Sequence, residues 1–194
     1  DCKLGLATGG TPVPIYKKLI EMNKAGKVDF SKVRTVNLDE YCGIPGTHDQ
    51  SYRYFMNMNL FDHINIDKAN TFVANGMGDF EANARELEEK VREGGVADLQ
   101  LLGIGNNGHI AFNEASDHLI SVAHIEHLTE STIDANARFF EKREDVPTMA
   151  ITMGMGDIMA AKKVVLAATG LAKVPAIKGL IMDDVITTQN PSTM

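Results

Sequence analysis

The stretch that decides the reading of this chain runs from Leu101 to Glu114, LLGIGNNGHIAFNE. Its first residues complete an apolar strand, Leu99-Gln100-Leu101-Leu102. Three glycines follow, Gly103, Gly105 and Gly108, and then His109 and Glu114. Glycine reaches positive φ without steric penalty and lets backbone come close to a ligand. A histidine delivered straight from such a turn reads as chemical. Glu114 is placed to hold its imidazole in one tautomer and to stabilise the cation, and Asn107 can orient either group.

Working outward, strand-like and helix-like segments alternate. Strands are expected at Lys3–Ala7, Val33–Leu38, Thr71–Val73, Thr148–Thr152 and Val164–Ala168. Helical spacing marks Ile15–Lys24, Ser51–Phe61, Phe80–Glu93, Ser131–Phe140 (capped by Ser131), Asp157–Lys162 and Ala172–Ile181, and Ser121–Leu128 reads as extended. The alternation implies one α/β domain over residues 1–194, an open and mostly parallel sheet with helices on both faces.

In such sheets ligands bind beyond the carboxyl ends of the strands. Four strand ends carry polar features: Thr8-Gly9-Gly10-Thr11, Asp39-Glu40, the Gly103–His109 turn, and Thr169-Gly170 with Lys173 after it. Thr8–Thr11 before a helix reads either as a tight turn or as an anion site of amides and hydroxyls, to which Lys173 can add a point charge. Asp39 is either a solvated strand end or a partly desolvated general base. His118, His124 and His127 are too scattered to form a metal set with His109, so no metal is expected. Gly103-x-Gly105-x-x-Gly108 fits the dinucleotide fingerprint, but no helix opens at the third glycine, so no nicotinamide cofactor is expected.

Composition narrows the partners. The formal net charge is -7, with no run of Lys or Arg, which argues against nucleic acid. A small phosphorylated ligand needs far fewer cations. No apolar stretch approaches a membrane span, and Cys2 and Cys42 form neither a CxxC pair nor a framework, so a cytoplasmic setting is expected.

With these residues in view, the chain closely resembles the glucosamine-6-phosphate deaminase family. The resemblance rests on LGLATGGTP (4–12), NLDEYCG (37–43), LLGIGNNGHIAFNE (101–114), ANARFF (135–140), ATGLAK (168–173) and ITTQNPSTM (186–194). The 6-phosphogluconolactonases share the superfamily fold but follow the acidic motif with Arg, where this chain has Tyr41, and lack HIAFNE.

The resemblance implies conversion of glucosamine 6-phosphate and water to fructose 6-phosphate and ammonia, a hydrolytic deamination without a cofactor. It implies that His109, supported by Glu114, opens the sugar ring and that Asp39 moves a proton from C2 to C1. Glu40 lies beside the base on the substrate side. Thr8, Gly9, Gly10, Thr11 and Lys173 would hold the phosphate, with Arg138 closing over it; sequence alone reads Arg138 as a solvated helix position. Another sugar-phosphate enzyme of lactonase type, and a non-catalytic sugar-phosphate sensor, are the competing readings.

Asn107 stands where some relatives have Asp, Gly10 replaces a serine of the phosphate turn, and Ala115 replaces a proline. His124 and Glu126 occupy the strand on which allosteric relatives carry basic residues, so activation by N-acetylglucosamine 6-phosphate is not expected. Relatives begin a strand and a helix earlier and continue past NPSTM. The missing pieces would leave a sheet edge open to association into a homo-oligomer.

Overall fold

A computed structural model describes all residues, 1–194. Five strands, β1 (Cys2–Leu6), β2 (Val33–Asn37), β4 (Thr71–Phe72), β5 (Leu99–Leu102) and β8 (Val164–Leu166), form one sheet in the order β4-β2-β1-β5-β8. Every pairing in it is parallel. Five of the helices, α1 (Val13–Lys24), α2 (Tyr52–Asn59), α3 (Phe80–Arg92), α5 (Met155–Met159) and α6 (Val174–Met182), bury Tyr16, Met56, Leu87, Ile158 and Ala176 in a core shared with Leu6, Val36 and Leu101 of the sheet. The expected open parallel sheet flanked by helices is therefore present.

Three departures bear on the site. The expected strand at Thr148–Thr152 does not join the large sheet. As β7 (Met149–Thr152) it lies between β3 (Asp39–Tyr41) and β6 (His124–His127), antiparallel to both. Asp39-Glu40 is thus not a loop: the chain bonds Leu38 N–H to Leu6 O in the large sheet and enters the small one a residue later. A second apolar cluster, Tyr41, Phe112, Leu128, Ile133, Val146 and Ala150, packs beneath the small sheet.

The helix expected at Ser131–Phe140 is α4 (Glu130–Asn136), followed by a 3-10 turn over Ala137–Phe139. Its cap is Thr129, whose hydroxyl accepts from Thr132 N–H, and not Ser131. Ser131 has the same chemistry two residues later, and only the backbone path selects between them. The helix expected at Asp157–Lys162 begins earlier, at Met155, because Gly154 turns the chain directly out of β7.

A buried cation fixes the opposite end of the sheet. Lys3 Nζ, on β1, donates to the carbonyls of Lys90, Val91, Glu93 and Gly95 at 2.6–3.0 Å, closing the carboxyl end of α3. An ammonium there satisfies orphan carbonyls and meets the negative end of the helix. Lys3→Met is expected to remove about 3 kcal/mol of stability by leaving the buried Val91 carbonyl and three part-buried ones without their donor. A thermal melt checks it, with a fall of roughly 6–12 °C expected for a chain of this size. Val164 and Val165 of β8, the last strand in the sheet order, are exposed.

Candidate active site

The strand order reverses direction between β1 and β5: the chain runs from β1 out to β2 and β4, then returns to β5 and β8. Beyond the carboxyl ends of β1 and β5 lies the crevice such a switch creates. Thr8–Thr11 leaves β1 there, and the Gly103–His109 turn leaves β5.

Gly105 has no room for a side chain. A β-carbon on it would lie 2.3 Å from the His109 imidazole, so the ring packs directly on the turn. His109 Nδ1 is 2.7 Å from Asn107 Oδ1, and Asn107 Nδ2 donates to Glu114 Oε2 at 2.9 Å. A carboxylate only accepts, so the Asn107 amide must point its nitrogen at Glu114 and its oxygen at His109. Nδ1 therefore carries the proton in neutral His109, and Nε2 is left without a protein partner.

Glu114 Oε2 also lies 3.4 Å from His109 Nδ1, and Oε1 accepts from Thr132 Oγ1. Burial pushes the Glu114 carboxyl up, but the His109 hydrogen bond and charge, with Thr132 and Asn107, outweigh it and hold it down at about 2. Ala111, two residues beyond His109, is the one non-glycine residue with positive φ, at 53°. Such backbone strain is characteristic of functional loops.

Asp39 is 7 % exposed, and no protein group donates to its carboxylate. Burial pushes it up to about 8, and the neighbouring Glu40 charge adds to the shift. Tyr41, Tyr52 and Phe112 form a cluster with ring centroids 4.9–6.2 Å apart, and the charge of Asp39 acts on both tyrosines. This is a carboxylate held among rings and strand backbone, largely out of water.

Glu40 has a different place from the one expected. It is 1 % exposed, and its oxygens accept from Tyr41 N–H, Tyr52 N–H, Ser51 Oγ and Arg53 N–H at 2.7–3.0 Å. It receives the amino end of α2, and its two oxygens are taken up by these donors. Burial raises its carboxyl, and those four donors counter the rise. In Glu40→Gln, an NH2 must face at least one of them. Loss of about 2 kcal/mol is expected, together with a lower Asp39 pKa. A urea melt and the acid limb of a pH–rate profile check the two effects.

The remaining expected residues lie on polar turns. Thr8 and Thr11 are half-buried, Gly9 and Gly10 exposed, and the amino end of α1 that follows has no side-chain cap. By contrast, α2, α3 and α4 are capped by Ser51, Asp79 and Thr129. Lys173, half-buried just before α6, is brought near Arg138 of the 3-10 turn after α4. Burial lowers the Lys173 ammonium first, and the Arg138 charge lowers it further. Neither cation pairs with a carboxylate, whereas Arg143 nearby in sequence holds Glu130 and Asp134. Two cations together without an anion suit a dianionic ligand.

Three side chains that tie the site together were not anticipated. Thr152 of β7 pairs with Asp39 across the small sheet, and its Oγ1 accepts from Phe112 N–H at 3.2 Å. Asn113 Nδ2 donates to Ile110 O and Met153 O. Thr132 holds Glu114. Thr152 and Thr132 carry no local signal, whereas Asn113 sits inside HIAFNE and could have been singled out. No group of three or more His, Cys, Asp or Glu side chains is placed to hold a metal ion. No helix is long and apolar enough to cross a membrane.

Fold and site together define an α/β protein that sets a histidine–amide–carboxylate chain and a buried carboxylate at the carboxyl edge of a parallel sheet. The chain belongs to the family of glucosamine-6-phosphate isomerases and 6-phosphogluconolactonases, which matches residues 1–194. Among curated proteins it is 57 % identical over 192 residues to the glucosamine-6-phosphate deaminase of Clostridium beijerinckii, covering 98 % of this chain and 79 % of that one. It is 53 % identical over 192 residues to the deaminase of Thermoanaerobacter pseudethanolicus, covering 98 % and 76 %. A solved monomeric glucosamine-6-phosphate deaminase superposes with a TM-score of 0.95 at 40 % identity, covering all of this chain and 80 % of that one. The 6-phosphogluconolactonase of Thermotoga maritima superposes at 0.77 with 21 % identity, a likeness of fold, covering all of this chain and 79 % of that one.

Proposed function

We infer that this chain is an isomerising deaminase that converts glucosamine 6-phosphate and water to fructose 6-phosphate and ammonia. The observation that carries the reading is the presence of two unlike groups at the carboxyl edge of one sheet. Asp39 is a dry carboxylate raised to about 8, and His109 has its Nδ1 proton held by Asn107 and its Nε2 free. High identity to named deaminases along 98 % of the chain supports it. The lactonase reading has only the shared family model and a likeness of fold at 21 % identity behind it.

The phosphate sits on the amides of Gly9, Gly10 and Thr11, with the hydroxyls of Thr8 and Thr11 and the charges of Lys173 and Arg138. His109 Nε2 takes the proton from the anomeric hydroxyl and returns one to the ring oxygen as the C1–O5 bond breaks. The imidazolium formed in between is stabilised by Glu114. Asp39 then removes the C2 proton of the open-chain aldehyde as O1 takes a proton from water, leaving an enolamine, and Asp39 gives the proton it carries to C1. The nitrogen lone pair restores a C2=N double bond. Water adds at C2, and ammonia leaves, so the net reaction is a hydrolysis. Glu40 acts behind Asp39, fixing its strand and raising its carboxyl.

The free thiols of Cys2 and Cys42 suit a cytoplasmic setting. The test is release of ammonia and fructose 6-phosphate from glucosamine 6-phosphate. Turnover is expected from the wild type. Binding of the sugar phosphate without turnover would point instead to a sensor.

A further inference from the structure

The segment Thr187–Thr193 folds back against the turn that carries His109. Ser192 N–H donates to Gly108 O at 2.9 Å, Ser116 N–H to Thr188 O at 3.3 Å, and Gln189 Nε2 to Ser116 O at 2.9 Å. Its own shape is held by Thr193 Oγ1, which donates to Thr187 O and Asn190 O, and by Ser192 Oγ, which donates to Asn190 Oδ1 at 2.6 Å.

The Asn190 amide sits in a slot between two glycines. A β-carbon on Gly108 would lie 1.9 Å from Asn190 Oδ1, and one on Gly179 would lie 2.8 Å from Asn190 Nδ2. Gly108 has φ of +87° and immediately precedes His109. Gly179 belongs to α6, whose first turn follows Lys173 directly. One small side chain therefore touches both the turn with the ring-opening histidine and the helix behind the phosphate-binding lysine. A glycine on each side lets it approach both backbones.

We propose that Asn190 is a positioning residue, wedged between Gly108 and Gly179, that couples the helix after Lys173 to the placement of His109. The proposal rests on the deaminase reading for its kinetic test. Asn190 touches no reacting atom. It sets how far the His109 turn stands from α6, so a substrate whose phosphate engages Lys173 meets an imidazole already in place. A misplacement of the order of an ångström is enough to slow a positioned proton transfer greatly.

The experiment compares wild type, Asn190→Ala, Gly179→Ala and the double variant in the whole chain. Two quantities are measured: kcat on glucosamine 6-phosphate, and Kd for 2-amino-2-deoxyglucitol 6-phosphate. That probe carries phosphate and amine but has no ring to open. Asn190→Ala is expected to lower kcat about tenfold while Kd for the open-chain probe stays within about twofold. Gly179→Ala, which pushes on Asn190 from α6, is expected to do the same.

The double variant is expected to be no slower than Asn190→Ala alone, because the added methyl then has nothing to push. Wild-type kcat in Asn190→Ala, or a Kd that weakens as much as kcat falls, would overturn the proposal, as would additive losses in the double variant. If Asn190→Ala does not fold, Gly179→Ala carries the kinetic test. If the wild type itself releases no ammonia, the deaminase reading fails and the coupling is read by NMR of the His109 imidazole. A resonance shifted in Asn190→Ala supports the wedge, and an unshifted one overturns it.

Discussion

Asp39→Asn is expected to lower turnover about a thousandfold and, at pH 8 or above, to make the protein more stable. The two effects share one cause. A carboxylate buried with no donor is a strong base because the fold penalises its charge. The unfolded chain ionises Asp39 near 3.8, whereas the native protein holds the proton up to about 8. Below pH ~4 both states carry the proton, and the group makes no difference to stability. Between about 4 and 8 the unfolded chain has lost it and the native state has not, so stability falls as pH rises. Above about 8 the full penalty is present. An amide of the same shape has no such penalty, so the melting temperature of Asp39→Asn is expected to exceed that of wild type by several degrees at pH 8.5 and to equal it at pH 3.5. The same ionisation sets an acid limb near pH 8 in the wild-type kcat/KM profile, because the base works only when deprotonated. Parallel melts and a pH–rate profile check all of this. A variant less stable than wild type at pH 8.5 would show that the carboxylate is satisfied by a group other than those described.

Glu114→Gln is expected to lower kcat about a hundredfold at every working pH without moving the limb near 8. Glu114 is held at about 2, so it is charged throughout that range and its removal acts uniformly. The hydrogen bonds can be largely rebuilt. The glutamine oxygen can accept from Asn107 Nδ2 if its NH2 turns to Thr132, whose hydroxyl then accepts instead of donating. What is not rebuilt is the negative charge beside His109 Nδ1, and with it the stabilisation of the imidazolium formed during ring opening. Affinity for 2-amino-2-deoxyglucitol 6-phosphate is therefore expected to stay near the wild-type value while turnover of the cyclic substrate falls. Glu40→Gln is its counterpart: it moves the limb, because Glu40 acts through the ionisation of Asp39.

Periodicity and punctuation made the α/β alternation legible, and the large parallel sheet with its helices follows from them. The chemistry-bearing turn was equally plain, since Gly103–His109 and Asn107–Glu114 lie within a dozen residues and bond to one another. Signals of this kind are carried by neighbours in sequence, where the chain has little freedom to place them otherwise. The polar turn at Thr8–Thr11 and the acid at Asp39 belong to the same class.

Which sheet a strand joins is a different matter. Met149–Thr152 is as apolar as a central strand of the large sheet, and nothing in its four residues says that it pairs with Asp39–Tyr41 and His124–His127. That choice depends on contacts with residues more than a hundred positions away for Asp39, and it is what desolvates the base and ties it through Thr152 to Phe112. Glu40 shows the same limit. Its acidity marked it for a ligand, but folding brings the amino end of α2 and its cap Ser51 to it, and four donors occupy the carboxylate. Asn190 is more distant still: its place between Gly108 and Gly179 exists only once α6 has packed beside the β5 turn. The sequence by itself determined the alternation of strands and helices and the candidate polar groups; the tertiary structure decided which of those groups are buried and which are paired. Burial and pairing are properties of surroundings assembled from the whole chain.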